Sequence, residues 1–322
     1  MDYMLFSLGS NDPLAERIAR HLRKPLGTIN LRTFSDGEQY VQFCENIRGR
    51  DVFLIQSTNP PAENWTRLFL ALDAARGASA RKINIVMPYF GYTRQDRKAK
   101  PREPIAARMF AMILENLGAN QILTMDLHND AIGGFFRTSN VDYLYARPVI
   151  VARLKEFFEK EIEDDELVVV SPDAGGVVRA QSYAKRLMKN AEMAIIHKER
   201  DVPNQVARMK LVGEVKGKVA LIVDDMFDTC GTLCRAVEVL KENGARDMYA
   251  TAPHGIFSGD ALARVEGSPI KRIFIADTIT STKELPEKIE VISVGDLFAD
   301  AIRRTSKGES LSELFEDPHP PH

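Results

Sequence analysis

Short apolar runs alternate with amphipathic stretches along most of the chain. Each run is four or five residues long, rich in β-branched side chains and nearly continuous in its apolar character. Runs of this kind are typical of strands that are buried on both faces of a parallel sheet. The predicted strands are Val52–Ile55, Ile83–Met87, Gln121–Met125, Leu167–Val170, Met193–Ile196, Val219–Val223, Met248–Thr251 and Arg272–Ala276.

Between the strands, apolar residues recur three and four positions apart, which predicts helices. One such stripe consists of Ile105, Met109, Phe110, Ile113 and Leu117. Gly118 follows that stripe and predicts the end of its helix. In a second stretch, Leu233, Val237 and Leu240 repeat before Gly244. Strands that alternate with such helices indicate an α/β fold with crossover helices.

The strand pattern starts again after a helical stretch near residues 148–166. A chain of 322 residues is long enough for two buried cores. We place the boundary just before that helix, which predicts an N-terminal domain of residues 1–147 and a C-terminal domain of residues 148–299. The helix-like segment that begins at Val294, with residues 300–322, is a candidate to return to the first domain.

Composition and charge narrow the classes of function. The 43 Lys and Arg residues nearly balance the 45 Asp and Glu residues, which argues against a nucleic-acid binder. No apolar run approaches the roughly 20 residues of a membrane span, and the N-terminus lacks a secretory pattern. Three cysteines are too few for a disulfide framework. We therefore expect a cytoplasmic protein.

The segment after the predicted strand Val219–Val223 has the most specific chemistry. Residues 224–232 read Asp-Asp-Met-Phe-Asp-Thr-Cys-Gly-Thr, and a predicted helix follows them. The unpaired N–H groups and the partial positive charge of a helix N-terminus bind phosphate. Gly231 allows the backbone to approach the anion closely, and Thr229 and Thr232 add hydroxyl donors. The sequence therefore predicts a phosphate-binding loop.

Three carboxylates and a cysteine complete this loop. Asp224 and Asp225 can accept hydrogen bonds from ribose hydroxyls, directly or through a cation, and Asp228 can cap the helix. Cys230 is a small side chain that is also a candidate for sensitivity to thiol reagents. An acidic strand end on any α/β protein is the alternative explanation of the adjacent acids. The complete run, however, resembles the ribose-phosphate loop shared by phosphoribosyltransferases and their relatives.

Four further segments extend the resemblance. They are Phe34–Glu38, Tyr89–Lys98, Asp126–His128 and Ser171–Arg179. In order and at matching spacing, from about Gly9 to Phe315, they resemble ribose-phosphate diphosphokinases (phosphoribosyl pyrophosphate synthetases) of the phosphate-activated class I type. The resemblance implies an enzyme that transfers a diphosphoryl group from ATP to the anomeric hydroxyl of ribose 5-phosphate and releases AMP, for nucleotide biosynthesis.

The same resemblance implies a fold, a cofactor and an assembly. The implied fold is α/β, with two phosphoribosyltransferase-like domains, each a mainly parallel sheet flanked by helices. Mg²⁺ is the implied cofactor, bound with ATP. ATP is expected to bind between the domains and partly to a neighbouring subunit, within a homo-oligomer that is typically a hexamer.

By resemblance, two segments of the first domain contact ATP. The matching residues are Phe34, Asp36, Gly37, Glu38, Arg94 and Gln95. The phenyl ring is expected to stack on the base, the two carboxylates to accept from its amino groups, and the Arg–Gln pair to contact the phosphates. A plain Ser-Asp-Gly turn is the alternative for the earlier segment, and a solvated basic turn for the later one.

His128 and Asp173 follow predicted strands, at the edge where open α/β sheets bind ligands. By resemblance, both help to hold Mg²⁺ on the ATP phosphates. Carboxylate oxygens suit Mg²⁺, whereas imidazole suits softer ions, so His128 can instead act through water or a phosphate oxygen. A structural histidine is the alternative.

The stretch from His197 to Lys218 lacks helical periodicity, which predicts a long functional loop between two strands. By resemblance, Lys198 and Arg200 are its catalytic residues, as cations that close over the β-phosphate and stabilise the transition state. His197 and Glu199 depart from the usual pattern of the family, in which an acid and a base are commoner at these positions. For most other residues of the stretch, a flexible charged loop is the alternative.

Two other functions remain open from the sequence. A phosphoribosyltransferase would explain residues 224–232 but would leave Phe34–Glu38, Arg94–Lys98 and a whole domain without a role. A catalytically silent regulatory subunit is expected to have lost its lid residues, but Lys198 and Arg200 are both present.

Overall fold

Strands and helices alternate along the chain, as the apolar pattern predicts. The computed structural model describes residues 3–199 and 208–315. Its strands are β1 (Tyr3–Ser7), β2 (Ile29–Thr33), β3 (Gln39–Phe43), β4 (Asp51–Ile55), β5 (Lys82–Met87), β6 (Gln121–Met125), β7 (Asn140–Leu144), β8 (Leu167–Ser171), β9 (Met193–Glu199), β10 (Arg208–Val212), β11 (Val219–Val223), β12 (Met226–Phe227), β13 (Asp247–Gly255), β14 (Arg272–Ala276) and β15 (Ile289–Ile292). Its helices are α1 (Asp12–Leu22), α2 (Glu63–Gly77), α3 (Ala106–Asn116), α4 (Arg147–Phe157), α5 (Glu159–Glu163), α6 (Val177–Leu187), α7 (Gly231–Glu242), α8 (Ala261–Gly267), α9 (Gly295–Lys307) and α10 (Ser312–Phe315), with a 3-10 helix at Asp130–Phe135. Within these ranges, no helix combines the length and the apolar character that a bilayer crossing requires.

The chain divides into two compact units. The first contains the chain up to Tyr145, the short segment Thr278–Thr280 and the residues from Ser293 onward. The second contains Ala146–Asp277 and Ser281–Ile292. Each unit has its own hydrophobic core.

The first unit is built on a parallel sheet with the strand order β1-β4-β5-β6-β7. Every residue of β4 is buried, as expected for a strand covered on both faces. A separate antiparallel pair, β2 and β3, pairs Thr33 with Gln39 and leaves a short turn between them. Large apolar side chains from the strands and from α2 and α3 form the core, among them Phe6, Leu54, Trp65 and Phe110.

The second unit has the strand order β10-β9-β8-β11-β13-β14-β15. Only the β9–β10 pair of this order is antiparallel in the described residues. The short strand β12 pairs with the end of β13, where Met226 faces His254 and Phe227 faces Gly255. Both sheets are therefore mainly parallel and flanked by helices, which confirms the predicted fold class.

Helix α9 packs against α1 within the first unit. Arg17 donates from Nε and Nη2 to the two carboxylate oxygens of Asp296, each at 3.1 Å. These two residues are 279 positions apart in the sequence. The first unit is therefore assembled from distant parts of the chain.

All the strands predicted from continuous apolar runs are present, but further strands were not predicted. β2 and β3 contain only partly buried and exposed positions and include polar residues, so they contain no continuous apolar run. β1, β7 and β15 lie at or near the sheet edges, and each includes polar residues. The criterion for doubly buried strands therefore missed the hairpin and the outer strands.

The buried face of α3 differs from the predicted stripe. Met109 is 46% exposed, whereas Phe110, Ala107, Ala111 and Leu114 are buried. The ring of Phe110 stacks on Trp65 of α2, with the centroids 4.1 Å apart. The prediction was wrong for Met109 because the small alanines, which carry little hydrophobic signal, form the face that packs closely.

The predicted loop between His197 and Lys218 is wrong at its start and over Arg208–Val212, whereas residues 213–218 form turns without a strand or a helix. β9 continues to Glu199, and β10 runs antiparallel to it, with Leu211 opposite Ile196. Met209 and Leu211 pack against the core of the second unit. Their alternation with polar neighbours is a strand signal, but the helical criterion that we applied to this stretch does not detect a period of two.

Candidate active site

Two adjacent carboxylates follow the central strand β11 of the second unit. The N–H of Asp224 donates to the carbonyl of Thr251 on β13 at 3.0 Å, which continues the sheet pairing by one residue. The N–H of Asp225 donates to Asp224 Oδ1 at 2.9 Å. The side chain of Asp225 is 10% exposed and that of Asp224 is 27% exposed. The structure thus places two predicted sugar-binding residues together at the carboxyl edge of the sheet.

The electrostatics of this pair are dominated by burial and by mutual repulsion. Burial, together with the neighbouring charge of Asp225, raises the pKa of Asp224 to about 7. The guanidinium of Arg179 opposes this effect from α6, with Nη1 3.9 Å from Asp224 Oδ1 and 4.0 Å from Asp225 Oδ1. Arg179 was not predicted to contact this pair, because it reaches the two carboxylates only through the pairing of β8 with β11 in the sheet.

The donor set of the pair fits a divalent cation. Two carboxylates that share one guanidinium retain a net negative charge, and hard cations prefer carboxylate oxygens. The described residues contain no group of three or more His, Cys, Asp or Glu side chains able to hold a metal ion. A cation here would therefore need further oxygen ligands from water or from a bound sugar phosphate.

The predicted phosphate loop runs into the N-terminus of α7. The helix begins at Gly231, and no side chain within the described residues caps it. Thr229 is exposed and Thr232 is partly buried. A β-carbon built at Gly231 would have Thr229 Oγ1 as its nearest contact, at 3.8 Å, so the space beside this glycine is open. An uncapped N-terminus next to open space is suited to an anion.

Asp228 does not cap α7. Its carboxylate instead accepts a short hydrogen bond from the hydroxyl of Ser258, which follows β13. The residue at the N-cap position is Cys230, with a φ of 57° in the left-handed region. The predicted capping role of Asp228 is therefore wrong, because its side chain is held by the segment behind the loop.

The side chain of Cys230 points into the core. It is only 4% exposed and packs with Leu233 and other apolar residues. Burial raises the pKa of the thiol to about 12, and the charges of Cys234 and Asp228 add to this effect. The thiolate is the reactive form, so the expected sensitivity to thiol reagents is not supported at this residue. Cys230 can contact a ligand in this loop only through its backbone.

In the first unit, Phe34–Glu38 forms the turn of the β2–β3 hairpin. The N–H of Phe34 donates to the carbonyl of Glu38 at 2.8 Å, and Gly37 has a φ of 98°. Asp36 Oδ1 accepts from the N–H of Glu38 at 3.1 Å. The ring of Phe34 is 41% exposed and lies 4.7 Å from the guanidinium carbon of Arg32. The segment is a hairpin turn with a partly exposed aromatic ring, one face of which is covered by Arg32.

Arg94 and Gln95 lie exposed in a series of turns after β5. Gly91 begins these turns, and a β-carbon there would lie 2.3 Å from the carbonyl oxygen of Thr58. The N–H of Gln95 donates to the carbonyl of Tyr92 at 3.0 Å. The close approach at Gly91 therefore sets the path of the chain toward the basic run.

A hydrogen bond joins the basic run Arg94–Lys98 to the turn that follows β6. Asn129 Nδ2 donates to Asp96 Oδ2 at 2.8 Å. Asn129 is the neighbour of His128, which is exposed three residues after the end of β6. The first unit thus brings the predicted phosphate contacts near the predicted histidine.

The remaining predicted residues belong to the second unit. Asp173 follows β8, and its Oδ1 accepts from the N–H of Gly176 at 3.0 Å, at the start of α6. Lys198 lies on β9, opposite Met209, but the structure does not describe its side chain. Arg200 lies outside the described residues.

Comparisons with known proteins match this arrangement over nearly the whole chain. The N-terminal domain of ribose phosphate pyrophosphokinase matches residues 3–118, the phosphoribosyl transferase domain residues 140–254, and the phosphoribosyl synthetase-associated domain residues 199–316. Fold and site together define a phosphoribosyltransferase-like α/β protein.

Individual relatives identify the family. Ribose-phosphate pyrophosphokinases of Fusobacterium nucleatum and Caldanaerobacter subterraneus are 44% and 47% identical over 313 residues, which is 97% of this chain and of each relative. The crystal structure of phosphoribosylpyrophosphate synthetase from Mycobacterium smegmatis is 35% identical and has a TM-score of 0.88, covering 96% of this chain and 100% of that one. The chain belongs to the ribose-phosphate pyrophosphokinase family, which confirms the resemblance seen in the order of its motifs.

Proposed function

We propose that this protein transfers the diphosphoryl group of Mg-ATP to the C1 hydroxyl of ribose 5-phosphate. The products are 5-phosphoribosyl 1-diphosphate and AMP. Family membership over the whole chain supports the reaction. The observation that supports binding of the sugar phosphate is the pair of Asp225, which is buried, and Asp224, which is partly buried, followed by the uncapped N-terminus of α7.

The sugar phosphate is bound by the second unit. Its 5-phosphate accepts hydrogen bonds from backbone N–H groups at Cys230 and Gly231, and from the hydroxyls of Thr229 and Thr232. The carboxylates that precede the loop, Asp224 and Asp225, hold the ribose hydroxyls. Asp228 acts on the path of the backbone, since its carboxylate is bound by Ser258.

ATP is bound through groups of the first unit. The exposed ring of Phe34 stacks on the adenine, and the carboxylates of Asp36 and Glu38, on either side of Gly37, accept from its amino group. Arg94 and Gln95 contact the phosphates, where a guanidinium can pair with two oxygens at once. The protein acts as a homo-oligomer in this proposal, which the family resemblance supports.

Mg²⁺ neutralises and orients the phosphates of ATP when it is bound. Asp173 supplies a carboxylate oxygen of the kind that Mg²⁺ prefers, although one of its oxygens already accepts from Gly176. His128 is exposed, so it can reach a phosphate oxygen or a bound water. The Asp224–Asp225 pair fits a second cation, since its repulsion is only partly offset by Arg179.

Transfer proceeds by in-line displacement at the β-phosphorus. The C1 oxygen forms a bond to the β-phosphorus while the bond from that phosphorus to the α–β bridging oxygen breaks. AMP leaves with the electron pair, and the hydroxyl proton is lost to solvent. Positioning and charge neutralisation supply most of the rate, as is general for phosphoryl transfer. Lys198 and Arg200 are the proposed cations that stabilise the charge on the transferred group.

A product assay tests this proposal. We expect purified protein with ATP, ribose 5-phosphate, Mg²⁺ and phosphate to form AMP in equal amount to the sugar consumed. Lys198→Ala should reduce the rate at least a hundredfold, whereas Lys210→Ala, which removes an exposed lysine of β10 opposite His197, should keep it. ADP as product would mean a monophosphoryl kinase. Binding of both substrates without turnover would favour a regulatory subunit.

A further inference from the structure

Residues 256–258, which follow β13 in the second unit, hydrogen-bond to the backbone at the start of the phosphate loop. The carbonyl of Phe227 accepts from the N–H groups of Ile256, at 2.8 Å, and Phe257, at 3.0 Å. The next carbonyl, of Asp228, accepts from the N–H of Ser258 at 3.1 Å. The hydroxyl of Ser258 also donates to the carboxylate of Asp228. Consecutive carbonyls therefore face this segment.

The third carbonyl of the series is bound by a charged side chain. Arg264 donates from Nη1 to the carbonyl oxygen of Thr229 at 2.8 Å. Arg264 lies on α8, which is anchored in the core by the fully buried Ala261 and Val265. A hydrogen bond from a guanidinium is stronger than one between neutral groups. The Thr229 carbonyl therefore has a charged donor, which is exposed itself but extends from a helix whose backbone is anchored in the core.

This contact sets the direction of one amide N–H in the loop. In a trans peptide the C=O and the N–H point in opposite directions, and the N–H that belongs to the Thr229 carbonyl is that of Cys230. With the carbonyl held toward Arg264, the N–H of Cys230 lies in the same peptide plane and points away from Arg264, on the opposite side of the chain. Cys230 already has a left-handed φ, a conformation in which successive N–H groups can converge on an anion.

The direction of this N–H matters because the side chain of Cys230 is buried in the core. An anion-binding loop must present its N–H groups and keep its carbonyls away from the anion, since a carbonyl oxygen would repel a phosphate. If the Thr229–Cys230 peptide rotated, it would replace the donor with an acceptor. We propose that Arg264 is a positioning residue that locks this peptide plane and so keeps the loop able to bind the 5-phosphate. This inference rests on the proposed function of the loop.

Arg235 provides a matched control for the charge of Arg264. Both guanidinium groups line the same groove of about 670 Å³ between α7 and α8. Both arginines are exposed, but among the described residues only Arg264 donates a hydrogen bond to the loop. A change at Arg235 removes a nearby positive charge but leaves the Thr229 carbonyl with its donor.

The test compares Arg264→Met, Arg264→Lys and Arg235→Met in the full chain. Calorimetric titration with ribose 5-phosphate measures binding without turnover, and initial rates separate KM from kcat. Loss of one charge-assisted hydrogen bond should weaken sugar-phosphate binding at least tenfold in Arg264→Met. We expect KM for ribose 5-phosphate to rise in parallel, while kcat and the KM for ATP stay within threefold. Arg264→Lys should recover part of the affinity, and Arg235→Met should match the wild type.

The proposal is overturned if Arg264→Met binds ribose 5-phosphate like the wild type, or if Arg235→Met weakens binding as much. A fall in kcat alone would also contradict it. Circular dichroism checks that Arg264→Met folds. If it does not, Ser258→Ala replaces it, because this change removes the hydrogen bond that holds the Asp228 side chain of the loop. We expect Ser258→Ala to weaken binding of ribose 5-phosphate about threefold. A wild type that binds ribose 5-phosphate but forms no AMP would refute the proposed reaction, and the binding comparison would still decide the role of Arg264. A wild type that does not bind the sugar phosphate overturns both.

Discussion

The pair of Asp224 and Asp225 should make the second unit less stable at neutral pH than at mildly acidic pH. In the folded protein, burial and the charge of Asp225 raise the pKa of Asp224 from 3.8 to about 7. Between these pH values the folded state holds a proton that the unfolded state has released, so the free energy of unfolding decreases as the pH rises. At 1.36 kcal/mol for each pH unit, this difference corresponds to about 4 kcal/mol. The stabilisation that comes from the proton on folded Asp224 is fully present below pH 3.8 and is lost above pH 7.

Asp225→Asn removes one charge and keeps the shape of the side chain. Burial, the larger cause of the raised pKa of Asp224, remains in the variant. We therefore expect only part of the destabilisation that ionised Asp224 causes to disappear. At pH 8 the variant should be more stable than the wild type by about 1–2 kcal/mol. At pH 5 the wild-type Asp224 keeps its proton, and the variant should gain nothing. The same substitution should weaken binding of ribose 5-phosphate.

Urea unfolding at pH 5, 6, 7 and 8, without Mg²⁺, measures this difference. Far-ultraviolet circular dichroism is the appropriate signal, because Trp65 is the only tryptophan and lies in the first unit. Asp247→Asn is the control, since Asp247 lies 3.5 Å from Lys271 Nζ and 3.8 Å from Arg246 Nε. Its loss removes an attraction and should give no gain at pH 8. A gain for Asp225→Asn that is equal at pH 5 and pH 8 would refute the electrostatic argument.

Two further predictions concern the glycine turn and the cysteines. Gly91→Ala places a β-carbon 2.3 Å from the carbonyl oxygen of Thr58, so it should destabilise the first unit by roughly 2 kcal/mol or more in urea unfolding followed by tryptophan fluorescence. Gly134→Ala, where a β-carbon meets no described atom within 4 Å, should change stability by less than half of that. A thiol reagent at pH 7.5 should modify the exposed Cys44 quickly and the buried Cys230 only after unfolding, as mass spectrometry can establish. Rapid modification of Cys230 in the native protein would contradict its described burial.

Much of the fold could be predicted because doubly buried strands leave a continuous apolar signature. β6, β11 and β14 begin and end at the predicted residues. The β2–β3 hairpin could not be found in this way, because its strands are partly exposed and polar. The exposure of Met109 was not predicted because the apolar period of α3 includes large residues beside the buried face, whereas the alanines that form this face carry little hydrophobic signal.

In the candidate site, too, only the residues that lie together in the sequence could be predicted. The loop of residues 224–232 was predicted because its residue types follow one another in sequence. Arg179 and Arg264 were not assigned roles, because each reaches the loop only through the order of strands or the packing of a later helix. The burial of Cys230 was not predicted either, since the left-handed φ that turns its side chain inward has no signal outside glycine and asparagine.

Because α1 packs against α9, the first unit cannot complete its fold until α9 has been synthesised. Arg17 and Asp296 are 279 residues apart, and translation adds about 5–20 residues per second. The face of α1 that receives α9 therefore waits on the order of 15–55 s before its partner has been made. During that interval the whole second unit is synthesised and can fold, so the unit that begins the chain is the one completed last.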